Sequence, residues 1–582
     1  MRLRALRDAC LGGFLYGSLL YGTVLSVIHV VHNHLASPRD ALVVYAVFCL
    51  LYGLWAAAFF GLATLAASLF SHPRDQGRRG RLLGLLAFNL FFWEICFLYG
   101  LTYDQAPFHP DGAWGMAAVL IVLAVPIAAV TALASWLLHR VWGGLKWAAV
   151  AALLLGVAVH AAAPLYTQTG EKSAGTPPAI QAAATGLKVV LVGFDGADWR
   201  VIRPMMEKGE LPAFAGLARD GASGDLATIH DSNSAVIWAS IYTGEDPERH
   251  GVLDFYRIQL PGMASPGIFP VHRTYFKELS DLVAPLGLTR QIPVDRFSLA
   301  GAPLWEVADR AGMTVGVVDG YFYSFPALQV SRPGSWFFSY GLDEVAARPS
   351  GRIDLFMQPK ATGLFRRIRP ALGQGDFHWQ SAVLLDLLGG GPQPRFVNFY
   401  THEPDSAQHF YWKWYQPRRF FGVTERGLKE KAERIPSIHR DFDRFLAKLL
   451  AEVGPETVVI VASDHGHSPT IVHSLYTQHR HGPPGILLMH GGPVKRGLAV
   501  QGADIYDVYP TVLYLLGLPV PRDLAGKVLL DALDPGFVRL HPVRTVPSYR
   551  GLGMPANLPG ASRDGSMNEM EIEKLRSLGY IF

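Results

Sequence analysis

Apolar residues fill the first third of this chain in long, nearly unbroken runs, and after it they come in short blocks with polar ends. Five of the long runs, roughly Cys10–Val31, Ala41–Phe70, Leu82–Tyr103, Trp114–Leu138 and Leu145–Leu165, reach the ~20 residues that a helix needs to cross a bilayer. The first is too long for the h-region of a cleaved signal peptide, and four more follow it. The pattern predicts an all-α membrane domain of five transmembrane helices over residues 1–165. Loop charges orient it: Arg2, Arg4 and Arg7 precede the first run, the second loop carries Arg74, Arg78, Arg79 and Arg81, and the fourth has Arg140 and Lys146. The third loop has Asp104 and Asp111 without Lys or Arg, and the first has only Arg39 beside Asp40. Positive loops face the cytoplasm, so the N-terminus is expected there and everything after Leu165 on the opposite side. In a bacterium this is an inner-membrane protein with a periplasmic or extracellular domain. Glu94, inside the third run, reads equally as a functional intramembrane acid and as a carboxyl bonded to a neighbouring helix. His160, near a span's end, reads as structural.

Beyond the membrane runs the periodicity changes. Tyr166–Gly186 is rich in Gly, Ala, Thr and Pro and reads as a linker over 166–186. Leu187–Gly193 is a continuous apolar run of buried-strand type, and further strands are expected at Thr314–Val318, Arg395–Tyr400 and Thr457–Ala462. Helices are expected near Val201–Gly209, Leu211–Asp220, Leu304–Ala311 and Ile438–Val453, the last with Phe442, Phe445, Leu446, Leu449 and Leu450 at helical spacing. This alternation predicts an α/β domain over 187–535 with a central, largely parallel sheet. Residues 254–391, rich in Pro, Gly and aromatics, read partly as an insertion roofing a site, and 536–582 as a C-terminal extension.

Composition narrows the function classes. Half of the 582 residues are hydrophobic and the formal net charge is only +4, which gives no nucleic-acid-binding signal. The three cysteines, Cys10, Cys49 and Cys96, all lie in the apolar segments, so disulfides and thiolate zinc sites are excluded from the rest of the chain.

Candidate chemistry gathers at the ends of the expected strands, where open α/β sheets bind ligands. Asp195 ends the first strand. Ser234 stands in a short polar segment, His230-Asp231-Ser232-Asn233-Ser234, just before an apolar helix whose N-terminus suits a phosphate. Asp405 and His409 lie four residues apart on a helical turn and face one way. Asp464 and His465 end another strand, and His481 follows in Gln478-His479-Arg480-His481-Gly482. Carboxylate and imidazole donors without thiolates suit zinc or manganese.

These segments carry a resemblance. Val192-Gly193-Phe194-Asp195-Gly196, the Ser234 window through Thr243-Gly244 to His250-Gly251, Glu403-Pro404-Asp405 to His409, and Ser463-Asp464-His465-Gly466 resemble the alkaline phosphatase superfamily, in its type I phosphodiesterase/nucleotide pyrophosphatase branch. Asp504–Pro519 and Leu575–Tyr580 also resemble superfamily segments found in sulfatases. The resemblance implies two divalent metal ions, one among Asp195, Ser234, Asp464 and His465, the other held by Asp405, His409 and His481, with His479 the alternative to the last. It implies Ser234 as the nucleophile. Where nucleotide pyrophosphatases keep a phosphate-binding Asn three residues after the nucleophile, this chain has Ile237, and Asn233 is the substitute candidate for binding substrate. His230, His250, His402, His467 and His473 take supporting or structural parts.

The expected protein is therefore a membrane-anchored, metal-dependent phosphodiesterase or phosphohydrolase acting outside the cytoplasm on phosphodiester or phosphorylated substrates, including lipid-linked ones. The alternative is a phospho-headgroup transferase. The spans followed by an external domain also resemble phosphoethanolamine transferases and lipoteichoic acid synthase, but those use Glu in place of Asp195 and lack the full second ligand set.

Overall fold

The computed structural model describes residues 2–35, 37–70, 83–88, 145–166, 180–230, 232–264, 267–271, 276–321, 335–338, 376–420, 423–468 and 482–552. They fall into two compact units, one of residues Met1–Lys172 with Tyr256–Ile292, the other of Ser173–Phe255 with Pro293–Ile581.

In the first unit two helices are long and apolar enough to cross a membrane, Leu3–His32 and Pro38–Ala66. The first contains a π-helical segment, Gly17–Gly22, and it lies closely against the second. A Cβ on Gly17 would sit 2.1 Å from the Tyr52 carbonyl oxygen, so only glycine permits that approach, as small residues do at membrane-helix contacts. Ser18 Oγ donates to the Cys49 carbonyl across the same contact at 2.7 Å. Five spans were expected. Among the described residues the structure shows these two, and the fifth run forms a 17-residue helix, Leu145–Ala161, short of the ~20 residues of a span. There Tyr45 stacks on His160 at 4.4 Å. The third run beyond residue 88, with Glu94, and the fourth lie outside the described residues.

The same unit contains part of the later chain. Strands β3 (Tyr256–Gln259) and β4 (Arg290–Pro293) pair, and the chain between them meets the apolar helices. Asn33 donates to the Phe269 carbonyl at 3.0 Å and accepts from its N–H. Asp40 accepts from Ala264 N–H at 2.7 Å and Arg39 donates to the Gly262 carbonyl at 3.0 Å. Phe276 packs on Phe48 at 4.6 Å and edge-on to His29 at 5.0 Å.

The second unit is built on an eight-stranded sheet. Besides β1 (Lys188–Phe194) and β2 (Ala222–Ala227) it contains β5 (Val315–Val318), β6 (Trp336–Phe338), β7 (Phe396–Thr401), β8 (Thr457–Ala462), β9 (Gly485–His490) and β10 (Leu498–Asp504). The spatial order is β10-β2-β9-β8-β1-β7-β5-β6. Only β9 runs against its neighbours, so the sheet is largely parallel, as expected. β1 sits between β7 and β8, with Phe194 opposite Thr401 and Gly193 opposite Ala462. Its residues after Lys188 are buried, which is why it reads as a continuous apolar run rather than an alternating one.

The expected long helix forms over Arg434–Glu452, and Phe442, Phe445, Leu446 and Leu449 are its buried stripe. Phe194 stacks on Phe442 at 4.3 Å and Phe399 on Phe445 at 4.8 Å, fixing β1 and β7 on this helix just below the ends that carry acidic residues.

Candidate active site

The register of the sheet brings the polar ends of β1, β7 and β8 together. Asp195 follows β1 directly, and its backbone N–H donates to the Thr401 carbonyl at 3.1 Å while its carbonyl accepts from Asp405 N–H at 3.0 Å. Gly196 has φ +71°, and a Cβ there would lie 2.7 Å from the Asp405 Cβ, so glycine is needed both for the turn and for the approach of the helix Glu403–Tyr415. Gly196 N–H donates to Asp464 Oδ1 at 3.1 Å, and Gln408 Nε2 donates to the Gly196 carbonyl at 2.6 Å.

Asp195, Asp464 and His465, all buried, form a group whose ligand atoms lie within 4.8 Å of one another. His465 Nδ1 meets the Gly466 carbonyl at 3.1 Å. With the proton assigned there, Nε2 presents its lone pair 3.2 Å from Asp464 Oδ2 and 3.6 Å from Asp195 Oδ1. Asp464 Oδ2 has no hydrogen-bond donor among the described residues. Three electron-rich atoms facing one another in a buried site are costly without a cation, so the donor set fits a divalent metal. Electrostatics agree: burial, reinforced by the charges of Asp464 and Asp405, holds the Asp195 carboxyl well above the usual range. Burial, with the Asp405 charge adding to it, raises Asp464 to about 7.

Ser234 is the first residue of the helix Ser234–Thr243, and Asn233 is its cap. Ser234 Oγ lies 3.3 Å from Asp195 Oδ1 and 3.1 Å from His465 Nε2, fully buried with the Asp195–Asp464–His465 group. Asn233 uses both ends of its amide. Its Oδ1 accepts from Val236 N–H at 3.3 Å and its Nδ2 donates to Asp254 Oδ1 at 2.8 Å, so the expected substrate contact is engaged in holding the helix start.

Asp405 and His409 face each other, Oδ2 to Nε2, at 3.2 Å, and both are buried. His479 and His481 lie outside the described residues. The structure thus brings together Asp195, Ser234, Asp464 and His465 as one group, with Asp405 and His409 beside it through the Asp195–Asp405 backbone contact.

Three participants were not placed at the site from sequence, and only one of them, His467, was given even a supporting or structural part. Tyr400 Oη and Trp238 Nε1 donate to Asp195 Oδ2 at 2.7 and 3.1 Å, which turns Oδ1 toward Ser234. Both are aromatics in apolar stretches and carry no signal separating them from core. The third is His467, whose ring packs edge-on to His409 at 5.3 Å; its place two residues after His465 was the available signal. His250 is structural: Nδ1 accepts from Val252 N–H at 3.1 Å and Nε2 meets Ser240 Oγ at 3.0 Å, and burial lowers its pKa to about 3.

A central, largely parallel sheet with buried carboxylate and imidazole groups at its strand ends defines an α/β domain whose donor set could hold a metal ion. Over residues 189–507, more than half its length, the chain matches the type I phosphodiesterase / nucleotide pyrophosphatase family. It belongs to that family, within the alkaline phosphatase superfamily. Among curated proteins it is similar to human (Homo sapiens) arylsulfatase K, 36% identical over 97 residues, 16% of this chain and 18% of that one. It is also similar to phosphopentomutase of Symbiobacterium thermophilum, 39% identical over 94 residues, 16% and 23% of the two chains. A third is the 2,3-bisphosphoglycerate-independent phosphoglycerate mutase of Synechocystis sp., 32% identical over 116 residues, 18% and 21%. The chain spans less than a quarter of the length of these relatives. Among solved structures, human ectonucleotide pyrophosphatase / phosphodiesterase 5 aligns with 14% identity and a TM-score of 0.37, covering 60% of this chain and 99% of that one. Phosphonoacetate hydrolase from Sinorhizobium meliloti 1021 aligns with 17% identity and a TM-score of 0.30, covering 50% and 57%.

Proposed function

We propose that this protein is a membrane-anchored phosphodiesterase that works outside the cytoplasm, with Ser234 as nucleophile and two divalent cations, zinc or manganese. The observation that carries the proposal is Ser234 Oγ, at a helix start, within 3.3 Å of Asp195 and 3.1 Å of His465. Asp195, Ser234, Asp464 and His465 would hold one ion. Asp405 and His409 would hold the other, with His481 completing the set. Bound there, the cations supply positive charge against the ionised hydroxyl and the phosphate oxygens.

The protein's own groups do the rest. Tyr400 and Trp238 keep Asp195 Oδ2 occupied, and the Asn233 cap fixes the first turn of the helix, so Ser234 Oγ is held without a search for geometry. The positive end of the helix dipole favours an anionic phosphate beside it. Ser234 Oγ loses its proton to water and bonds to phosphorus as the bond to the leaving alcohol breaks, and that oxygen takes a proton from water. A phosphoseryl group results. Water then attacks the same phosphorus, the bond to Ser234 Oγ breaks, and the hydroxyl is restored.

A phosphodiester in or near a membrane, including a lipid-linked one, is the substrate class that fits the apolar helices. The contacts of Asn33 with Phe269 and of Asp40 with Ala264 hold those later residues beside the link after the first helix.

The test uses the full-length protein in detergent, loaded with zinc or manganese, on a nitrophenyl phosphodiester and the matching monoester, beside Ser234→Ala. We expect turnover of the diester in preference to the monoester, and a loss of at least about 10³-fold in kcat in the variant with metal content retained. Comparable turnover by Ser234→Ala would remove the nucleophile assignment. A metal-loaded protein inert to both esters would favour the transferase alternative.

A further inference from the structure

His467 sits beside the Asp405–His409 pair and is held there from several directions. Its backbone N–H donates to Asp198 Oδ2 at 3.0 Å, and its carbonyl accepts from Arg200 Nη2. The Arg200 guanidinium is itself fixed on Asp198 at 2.6 Å and lies over the Trp412 ring at 5.4 Å. The His467 ring packs against Trp412 at 5.0 Å and edge-on to His409 at 5.3 Å. The side chain is fully buried, yet neither ring nitrogen has a hydrogen-bond partner among the described residues.

A neutral imidazole carries one N–H, and leaving such a donor unpaired in the interior costs roughly 1–3 kcal/mol. The acceptor that the clamp aims it at is a carboxylate: Nδ1 is 4.0 Å from Asp405 Oδ1. The two oxygens of Asp405 are thereby divided, Oδ2 toward His409 Nε2 at 3.2 Å and Oδ1 toward His467. Groups that hold the far oxygen of a ligating carboxylate set its orientation, and losing them typically costs 10–100-fold in metal affinity.

We propose that His467 is a positioning residue for the second metal ion: its Nδ1–H holds Asp405 Oδ1 so that Oδ2 is presented together with His409 Nε2. The inference rests on the two-metal reading above. Hydrogen bonding requires the ring and the carboxylate, now 4.0 Å apart, to close by on the order of 1 Å.

The experiment is zinc stoichiometry of the full-length protein against chelators of graded strength, with His467→Ala, His467→Asn and His467→Gln, and with His409→Ala to mark loss of the second ion. Wild type should release its ions in two steps. His467→Ala should weaken the step that His409→Ala removes by 10–100-fold and leave the other in place. His467→Asn or His467→Gln, which retain an N–H donor, should recover part of it. Unchanged release from all three variants overturns the proposal, as does loss of both ions together in all three, which would mark general disruption. Complete loss of the second ion even in the donor-retaining variants also overturns it, in favour of His467 as a ligand. A wild type that binds a single zinc sinks the two-metal reading instead, so the two failures are distinct.

Discussion

At Asp464 a proton would compete with any bound cation. Burial raises its carboxyl to about 7, and Asp195, pressed by burial and by Asp464, is raised as well. A raised carboxyl binds a proton in the folded metal-free protein at pH values where the unfolded chain has released it. Stability from this source is therefore present at low pH and is lost as pH rises from the unfolded value, near 4, through about 7. A bound cation reverses the balance, because the ionised carboxylates become its ligands. Zinc affinity should rise between pH 5 and 7 by about tenfold per pH unit for each proton displaced, and the gain in Tm on adding zinc should be larger at pH 8 than at pH 5. Calorimetric titration and thermal scans at the two values measure this; equal zinc affinity at both would refute the assigned environment of Asp464. At this scale Asp195, Asp464 and His465 were legible because polar groups directly after apolar strand runs stand out. Tyr400 and Trp238 were not. An aromatic that donates to Asp195 and one that only fills core occupy the same apolar pattern, and the difference lies in which strand end each one faces.

At the scale of elements, the site depends on how closely β1 and the helix Glu403–Tyr415 approach, and Gly196 controls that distance. Any side chain there meets Asp405 at once, with Cβ atoms 2.7 Å apart, at φ +71°. The left-handed backbone alone costs a non-glycine residue roughly 1–2 kcal/mol, and relief of the clash moves the helix that carries both Asp405 and His409. Gly196→Ala should therefore fold with a lower Tm, keep the zinc of the Asp195–Asp464–His465 group and lose affinity at the second position. Wild-type zinc stoichiometry and affinity in that variant would refute it. The strongest elements of the sheet were readable from pattern alone: the expected Thr457–Ala462 strand forms with those bounds, and β1 and β7 differ from expectation by a residue. β2, β6, β9 and β10 were not expected. β2 reads Ala-Ser-Gly-Asp-Leu-Ala and is only partly buried, so it offers neither a continuous apolar run nor clean alternation. The reversal of β9 is a property of its partners, and nothing within Gly485–His490 encodes it.

For the whole molecule, the question is which side of a membrane each part occupies. The fold contributes a constraint that loop charges lack. Asn33 and Asp40 bracket the link between the two long apolar helices, and both bind backbone of residues 264–269. If the first helix crosses, this link and the backbone of Ala264 and Phe269 that it binds lie on the far side from Arg2, Arg4 and Arg7. The positive loops imply the same side for this link, and the described residues show two long helices where five were expected. Two crossings alone would return the chain to the side of its N-terminus, so the expected sidedness requires a further crossing before residue 187. A membrane-impermeant maleimide separates the cases in intact cells, against a background in which Cys10, Cys49 and Cys96 are replaced by serine. Lys208→Cys, exposed in the second unit, should label without permeabilisation. Leu3→Cys, 82% exposed, should label only after the membrane is opened. Labelling of both positions from outside would leave the first helix no crossing to make. Protection of both would put the second unit in the cytoplasm and remove lipid-linked substrates of the outer face from consideration.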